Sequence, residues 1–171
     1  MTDSKYVNLY SRDELLAFGF ESVAEETFVS RDARLFAIQG KLAEGVRIDA
    51  FAILTGHIEL GVGVHISPFC FLGGSGGRIK MQDHSGISTH VSIFTESDDY
   101  SHENREAGHK IGGDVTIQAY SILGAGCKVM PGTTIHEKCS IGCNCVINQD
   151  IPAGSNIINR GLSLINLGQR A

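Results

Sequence analysis

The chain has no tryptophan, no long apolar run, no basic stripe and comparatively little charge. Each lack excludes something. No window approaches the roughly 18 consecutive apolar residues of a membrane-spanning helix, so no span is expected. The opening MTDSKYVNLYSRDELL lacks both a basic start and an apolar run, so no secretion signal is read there and the expected location is the cytoplasm. Net charge is −5 without clustered Lys or Arg, which argues against nucleic acid as a partner. Hydrophobic residues at 42% with charged residues at 19% fit neither a disordered chain nor a membrane protein. A length of 171 residues suits one domain, 1–171, with a core of its own.

Glycine is plentiful instead, at 21 residues, which suits tight repeated turns. The repeat itself is visible. From Ile111 an aliphatic residue returns every six positions, at Ile117, Leu123, Val129, Ile135, Ile141 and Ile147. Four positions after each member of the run stands a smaller residue: Val115, Ser121, Cys127, Thr133, Cys139 and Cys145. Ile48, Leu54, Leu60, Ile66 and Leu72 keep the same spacing. A glycine-rich slip, GGSGG (Gly73–Gly77), follows, and Met81, Ile87 and Ile93 resume the pattern. Val23, Val29 and Leu35 begin it, so the repeats are expected over 23–151. Neither a helical period nor a two-residue alternation returns at six. One short strand plus one turn does; three such units make a triangular coil, and stacked coils make a parallel β-helix. The expected fold class is therefore all-β, with each buried aliphatic residue contributing roughly 1.5–3 kcal/mol.

The five cysteines follow from the repeat. Cys70, Cys127, Cys139 and Cys145 fall on the small inward position and are expected to pack as small hydrophobes. The repeat spaces them, not a zinc-binding C-x-x-C rule, and no metal site is read from them. Cys143 is off that register and is expected at the surface. Ser11–Gly19 reads as a short helix closing one end, with Ser11 as N-cap, Glu14 as its capping-box partner and Gly19 as the stop. The tail, 152–171, is expected to close the other end or to pack on a neighbour. The repeat breaks at length only in IFTESDDYSHENREAGHKIGG (Ile93–Gly113), read as an inserted loop over 98–110 with the coil resuming at Ile111.

Ile111–Gly154, including MPGTTI and QDIPAG, resembles the hexapeptide-repeat acyltransferases of left-handed β-helix fold. The closest branch is that of the sugar acetyltransferases acting on maltose, galactosides and Nod factors. Gly73–Ser101 is similar to a subgroup that carries an SDDYS segment. Left-handedness is implied by the resemblance alone, because parallel crossovers are otherwise right-handed. The resemblance implies a homotrimer with active sites in clefts between subunits. It also implies an acyl-CoA donor, acetyl-CoA first, lying along the coil surface, and a loop that reaches the adjacent subunit. The family's base is a His soon after the coil leaves register, and the matching position here is Asp98. His102, four residues on, is the alternative base, since an imidazole suits proton transfer near neutral pH. Asp98 or Glu103 would suffice for an amine whose pKa is near 8, as that of an α-amino group is. The reading therefore leans toward an amino sugar, with O-acylation left open.

Asp83, His84, Asp99, Tyr100 and Glu103 are set against the acceptor. His84 and His90 share one position of successive units, in the cleft or on an exposed face. His109 is read as structural, and His57, His65 and His136 as surface side chains. In relatives, backbone N–H groups just after the Gly of successive turns bond the pantetheine amides; here they are those of Ala125 and Cys143. The family's basic tail segment is replaced by NRGLS (Asn159–Ser163), leaving Arg160, Lys128 or Arg170 for the phosphates. Two other classes share the fold. A γ-type carbonic anhydrase needs a His triad that the spacing of His84, His90, His102 and His109 does not supply. A non-catalytic scaffold is favoured by Asp98 and by the altered tail.

Overall fold

A computed structural model gives the fold, and the structure describes residues 8–99 and 108–161. The chain winds about seven turns of a three-faced parallel β-solenoid. The first face stacks Val23, Leu42, Leu60, Met81, Ile117 and Ile135, with Ile151 bridging to Ile135. The second stacks Val29, Ile48, Ile66, Ile87, Leu123, Ile141 and Ile157. The third stacks Leu35, Leu54, Leu72, Ile93, Val129 and Ile147. Six residues carry the chain one face onward, and three faces carry it one coil up. Coils are numbered here from the one begun by Val23; Met81 begins the fourth and Ile117 the fifth.

Nearly every one of these side chains is sealed in the core, and only Leu35 and Ile157 are part-exposed. The smaller partners close the corners from inside: Cys70, Cys127, Cys139 and Cys145 are all buried, and Cys143 is exposed, as the register requires. Burial pushes the Cys70 thiol up to about 11, which keeps it an uncharged packing group. Buried hydroxyls are satisfied locally; Ser121 Oγ donates to the His136 carbonyl at 2.8 Å and accepts the Cys139 N–H at 3.1 Å.

Three edges join the faces. At the first edge (first to second face) and the second edge (second to third face), the turn places its third residue in the left-handed region. His84, Tyr120 and Lys138 do so on the first edge, and Phe51, Phe69, His90 and Asn144 on the second. The third edge (third to first face) is different. There the strands Arg34–Leu42, Ile53–Leu60 and Phe71–Met81 run around the corner without interruption.

The N-terminal helix Arg12–Phe18 has the expected capping box between Ser11 and Glu14, and Gly19 ends it. Glycine is required at that stop: φ is +121°, and a Cβ there would lie 2.2 Å from the Ile38 carbonyl oxygen. Leu15 inserts into the end of the core, while Glu14 pairs with Arg31 at 2.6 Å. Among the described residues no helix is long and apolar enough to cross a membrane.

Two expectations are corrected. Ile111 does not resume the coil: it is 50% exposed. It stands in an antiparallel ribbon, Glu96–Asp98 against Lys110–Gly112, with Ser97 opposite it. The coil returns at Val115–Ile117, so the excursion is wider than 98–110. The reason is local, since Gly112 and Gly113 run against the Gly76 and Gly132 backbones rather than over the core. At the other end, Asn156–Ile157 adds a rung to the second face, so coil structure outlasts 151.

Candidate active site

The residues singled out in the sequence fall into three groups, one on each edge. On the first edge, Asp83 Oδ1 accepts the Val62 N–H of the preceding coil at 2.9 Å. Gly61 leaves room for it, since a Cβ there would lie 2.4 Å from that oxygen. His84 stacks on Tyr120 with centroids 5.2 Å apart. Beside this edge lies a surface depression of about 450 Å³, lined in part by Lys41, Glu59, Lys80, Gln82 and Asp83. Glu59 is held below the usual carboxylate range, chiefly by its hydrogen bond with His57.

On the second edge, the Ala125 carbonyl accepts the Asn144 N–H at 2.9 Å. The Ala125 and Cys143 N–H groups donate to nothing among the described residues. The two stand one rung apart, about 4.8 Å in a sheet. Gly124 keeps the upper one open, because a Cβ on Gly124 would lie 2.7 Å from the Cys143 nitrogen. Lys128 Nζ is held at this edge by the Gly126 carbonyl at 2.9 Å and the His90 carbonyl at 3.4 Å. Asn159 Nδ2 donates to the Asn144 carbonyl at 2.7 Å, which brings the segment carrying Arg160 to the same edge.

The third edge carries the excursion. Thr95 is fully buried where the chain departs. Its hydroxyl donates to the Gly73 carbonyl at 2.7 Å and accepts the Gly76 N–H at 3.1 Å. The glycine slip is thus the platform on which the excursion stands; a Cβ on Gly76 would lie 2.4 Å from Glu96 Cβ. The returning strand is pinned by Asp114, which accepts the Arg78 N–H at 2.8 Å and pairs with its guanidinium at 3.1 Å. Those contacts, the Arg78 N–H foremost, lower the Asp114 pKa. Lys110 and Glu96 pair across the ribbon at 3.2 Å. Asp98 is exposed at its far end, opposite Lys110, and Asp99 follows with its N–H on the His109 carbonyl at 2.9 Å. Tyr100, His102 and Glu103 lie outside the described residues.

One chain therefore does not bring Asp83, Asp98 and the two free amides together. They stand on different edges of one prism, separated by faces of six residues, which span at most roughly 20 Å. His84 and His90, alike in the repeat, also stand on different edges. Sequence reading missed the clamp at Thr95 and the column of rings Phe51, Phe69 and His90 on the second edge, stacked at 5.1 Å each. The signal was present: Phe51 and Phe69 are one coil apart, and His90 is one coil plus the glycine slip further. Among the described residues no group of three or more His, Cys, Asp or Glu is arranged to hold a metal ion.

The β-solenoid is consistent with the resemblance to hexapeptide-repeat acyltransferases read from the sequence. No family model matches the chain. It is 27% identical over 169 residues to the dTDP-4-amino-4,6-dideoxy-D-glucose acyltransferase of Escherichia coli, covering 92% of this chain and 86% of that one. Among solved structures it is similar to AntD, an N-acyltransferase from Bacillus cereus in complex with dTDP and 3-hydroxybutyryl-CoA. The TM-score is 0.74 at 26% identity, over 87% of this chain and 82% of that one. A maltose O-acetyltransferase from Clostridium difficile shares the fold, with TM-score 0.56 at 20% identity over 85% and 68% of the two chains.

Proposed function

We propose that this protein transfers a small acyl group from acyl-CoA to the amino group of a nucleotide-linked sugar, with a dTDP-amino sugar as first candidate. The observation that carries the reading is the pair of free, rung-spaced amides at Ala125 and Cys143, kept open by Gly124. Such a pair suits the amides of a pantetheine arm. The likeness to AntD, crystallised also with dTDP-4-amino-4,6-dideoxyglucose and coenzyme A, supports the acceptor class. Arg160 and Lys128, both at the second edge, are the cations assigned to the donor's phosphates.

The excursion supplies Asp98, Asp99, Tyr100, His102 and Glu103 to the acceptor; Asp83 and His84 meet it from the first edge. Asp98 and His102 are the groups assigned to hold and deprotonate the amine. Because the donor amides and Asp98 lie on different edges, the site is completed by a second copy, and a homotrimer closes that arrangement symmetrically. Five free thiols suit a reducing compartment, the cytoplasm.

The test is direct. Incubation with dTDP-4-amino-4,6-dideoxyglucose and acetyl-CoA or 3-hydroxybutyryl-CoA is expected to yield N-acylated sugar and one equivalent of free thiol. A folded protein that yields neither with any donor refutes the reading. At a donor concentration well below that needed by the Ala125→Trp protein, mixing Asp98→Asn subunits with Ala125→Trp subunits is expected to restore activity at roughly a quarter of the sites of a randomly assembled trimer.

A further inference from the structure

The second edge carries a side-chain pair that this reading leaves unused. Thr89 and His90 belong to the fourth coil, from which the excursion departs, one rung below Ala125. The Thr89 hydroxyl donates to the Pro68 carbonyl at 2.7 Å and lies 2.9 Å from His90 Nδ1. A hydroxyl has one proton and a carbonyl only accepts, so that proton is committed to Pro68. The second contact is then a hydrogen bond only if His90 Nδ1 carries a hydrogen and donates it to Thr89 Oγ1. The neutral ring is thereby fixed as the Nδ1–H tautomer, with its lone pair on Nε2.

The orientation is fixed as well. His90 stacks on Phe69 at 5.1 Å and 15°, and Phe69 stacks in turn on Phe51. On the opposite side, the next residue of the column is Gly126, whose N–H bonds the Thr89 carbonyl at 3.0 Å. Gly126 has no side chain. The imidazole is therefore clamped from below by an aromatic column, while above it the Asn144 side chain lies over Gly126 on the column, one rung beyond the Ala125 amide. Among the described residues no carboxylate pairs with it. The titratable groups packed around it are Lys128, against its carbonyl, and the buried Cys70 thiol, which bonds the Ser88 carbonyl at 3.1 Å.

We propose that His90 is a catalytic proton carrier on the donor side of the site, with Thr89 as its positioning residue. The proposal rests on the acyl-transfer reading. The acceptor amine attacks the thioester carbonyl and a C–N bond forms. A proton of that nitrogen passes to His90 Nε2, the C–S bond breaks, and the same proton passes to the departing sulfur. The products are amide and coenzyme A thiol, with no other reactant. On this proposal His90 takes the proton that was assigned above to Asp98 or His102, and Asp98, reaching in from another subunit, holds the amine by accepting a second N–H. This chain thus carries an imidazole at the reaction level even though Asp98 occupies the position where a His is expected.

The test uses the whole protein with ¹⁵N-labelled histidine, the His90 signals being assigned by their loss in His90→Gln. The expected spectrum is that of the Nδ1–H tautomer; Thr89→Val is expected to abolish that preference while circular dichroism stays unchanged. Adding coenzyme A alone is expected to shift the His90 signals. With acyl-CoA and the dTDP-amino sugar, His90→Gln is expected to lower kcat by roughly 10²–10⁴-fold with little change in donor KM. It is also expected to remove the fall in kcat/KM that protonation of an imidazole base imposes on acidification. An Nε2–H tautomer in the wild type, His90 signals indifferent to coenzyme A, or a His90→Gln enzyme with wild-type kcat would each overturn the proposal. A wild type whose His90 signals respond to coenzyme A but which acylates no amino sugar sinks the acceptor reading while supporting the donor-side placement of His90.

Discussion

Replacing Thr95 by Val tests whether the excursion is held by hydrogen bonds or by apolar packing. Thr95 is fully buried, and Val has nearly its shape with a methyl in place of the hydroxyl. If burial of apolar surface decided the matter, Val would stabilise the fold. The geometry says otherwise. The hydroxyl donates to the Gly73 carbonyl and accepts the Gly76 N–H. The Gly73 carbonyl keeps a second partner, the Thr95 N–H at 3.0 Å, but the Gly76 N–H loses the one partner it has among the described residues, the Thr95 hydroxyl. Losing one net hydrogen bond and orphaning one donor that water partly reaches costs about 2 kcal/mol together. For a chain of this length that lowers Tm by roughly 4–8 °C. Thr95→Ser keeps both bonds, loses one buried methyl and is expected to fall less. The assay is thermal unfolding of the three proteins at one concentration, with amide hydrogen exchange on the ribbon Glu96–Asp98. Exchange there is expected to speed up in the Val variant more than exchange at Ile117 or Leu123. A Val variant as stable as wild type, or a Ser variant less stable than the Val variant, would refute the clamp.

Ala125→Trp is expected to weaken acyl-CoA binding by tenfold or more, about the effect of one hydrogen bond. Unchanged affinity in calorimetry would move the donor off the second edge. Ile117→Ala is expected to cost about 2–5 kcal/mol in urea unfolding, whereas Ile111→Ala, six residues earlier, should stay within about 0.5 kcal/mol; equal losses would restore Ile111 to the coil. The Glu14 carboxyl is lowered from 4.5 to about 2, first by the Ser11 N–H and then by Arg31. A depressed carboxyl stabilises the fold above its ordinary value and loses that contribution as pH falls toward the folded one. Glu14→Gln is therefore expected to flatten the decline of Tm between pH 4.5 and 2; an identical decline in both proteins would remove Glu14 from the acid response.

The inward aliphatic set was legible because burial on a three-faced tube leaves a period that nothing else produces. Ile117, Leu123 and Val129 each stand where the count of six puts them. Ile111 satisfies the same count and is nonetheless exposed, because the count contains no term for backbone approach. What expels it is glycine packing on glycine, Gly112 on Gly76 and Gly113 on Gly132, contacts without any side chain to read. The candidate site was legible only as a break in the repeat. Asp98 stood in the break and the break was visible. The amides of Ala125 and Cys143 carry no side-chain signal, so only the resemblance pointed to them. His84 and His90 show what the count of six leaves out. Equal position in the hexad is not proximity: a step of six moves a residue to another edge, and only a whole coil brings it beside its like. His90 accordingly finds Phe69, and His84 finds Tyr120.

Every departure from six falls on the third edge. The steps Leu35 to Leu42, Leu72 to Met81, Ile93 to Ile117 and Ile147 to Ile151 all cross it; steps across the other two edges, from Val23 to Ile157, keep to six. The first and second edges are closed by one left-handed residue whose N–H bonds the coil below, as His84 does to Val62 and Asn144 to Ala125. An extra residue there would break that bond and displace the column above it. On the third edge the strands Arg34–Leu42, Ile53–Leu60 and Phe71–Met81 carry the ladder around the corner, and the bonds on both faces hold while the surplus bulges outward, as between Phe36 and Gln39. A bulge in one coil then makes room for a larger one above. The slip at Gly73–Gly77 has no side chains on Gly76 and Gly77 where Glu96 and Gly113 must pass. The slip and the excursion are thus one device in two coils. Side chains on Gly76 and Gly77 would unseat the ribbon while leaving every inward aliphatic residue in place.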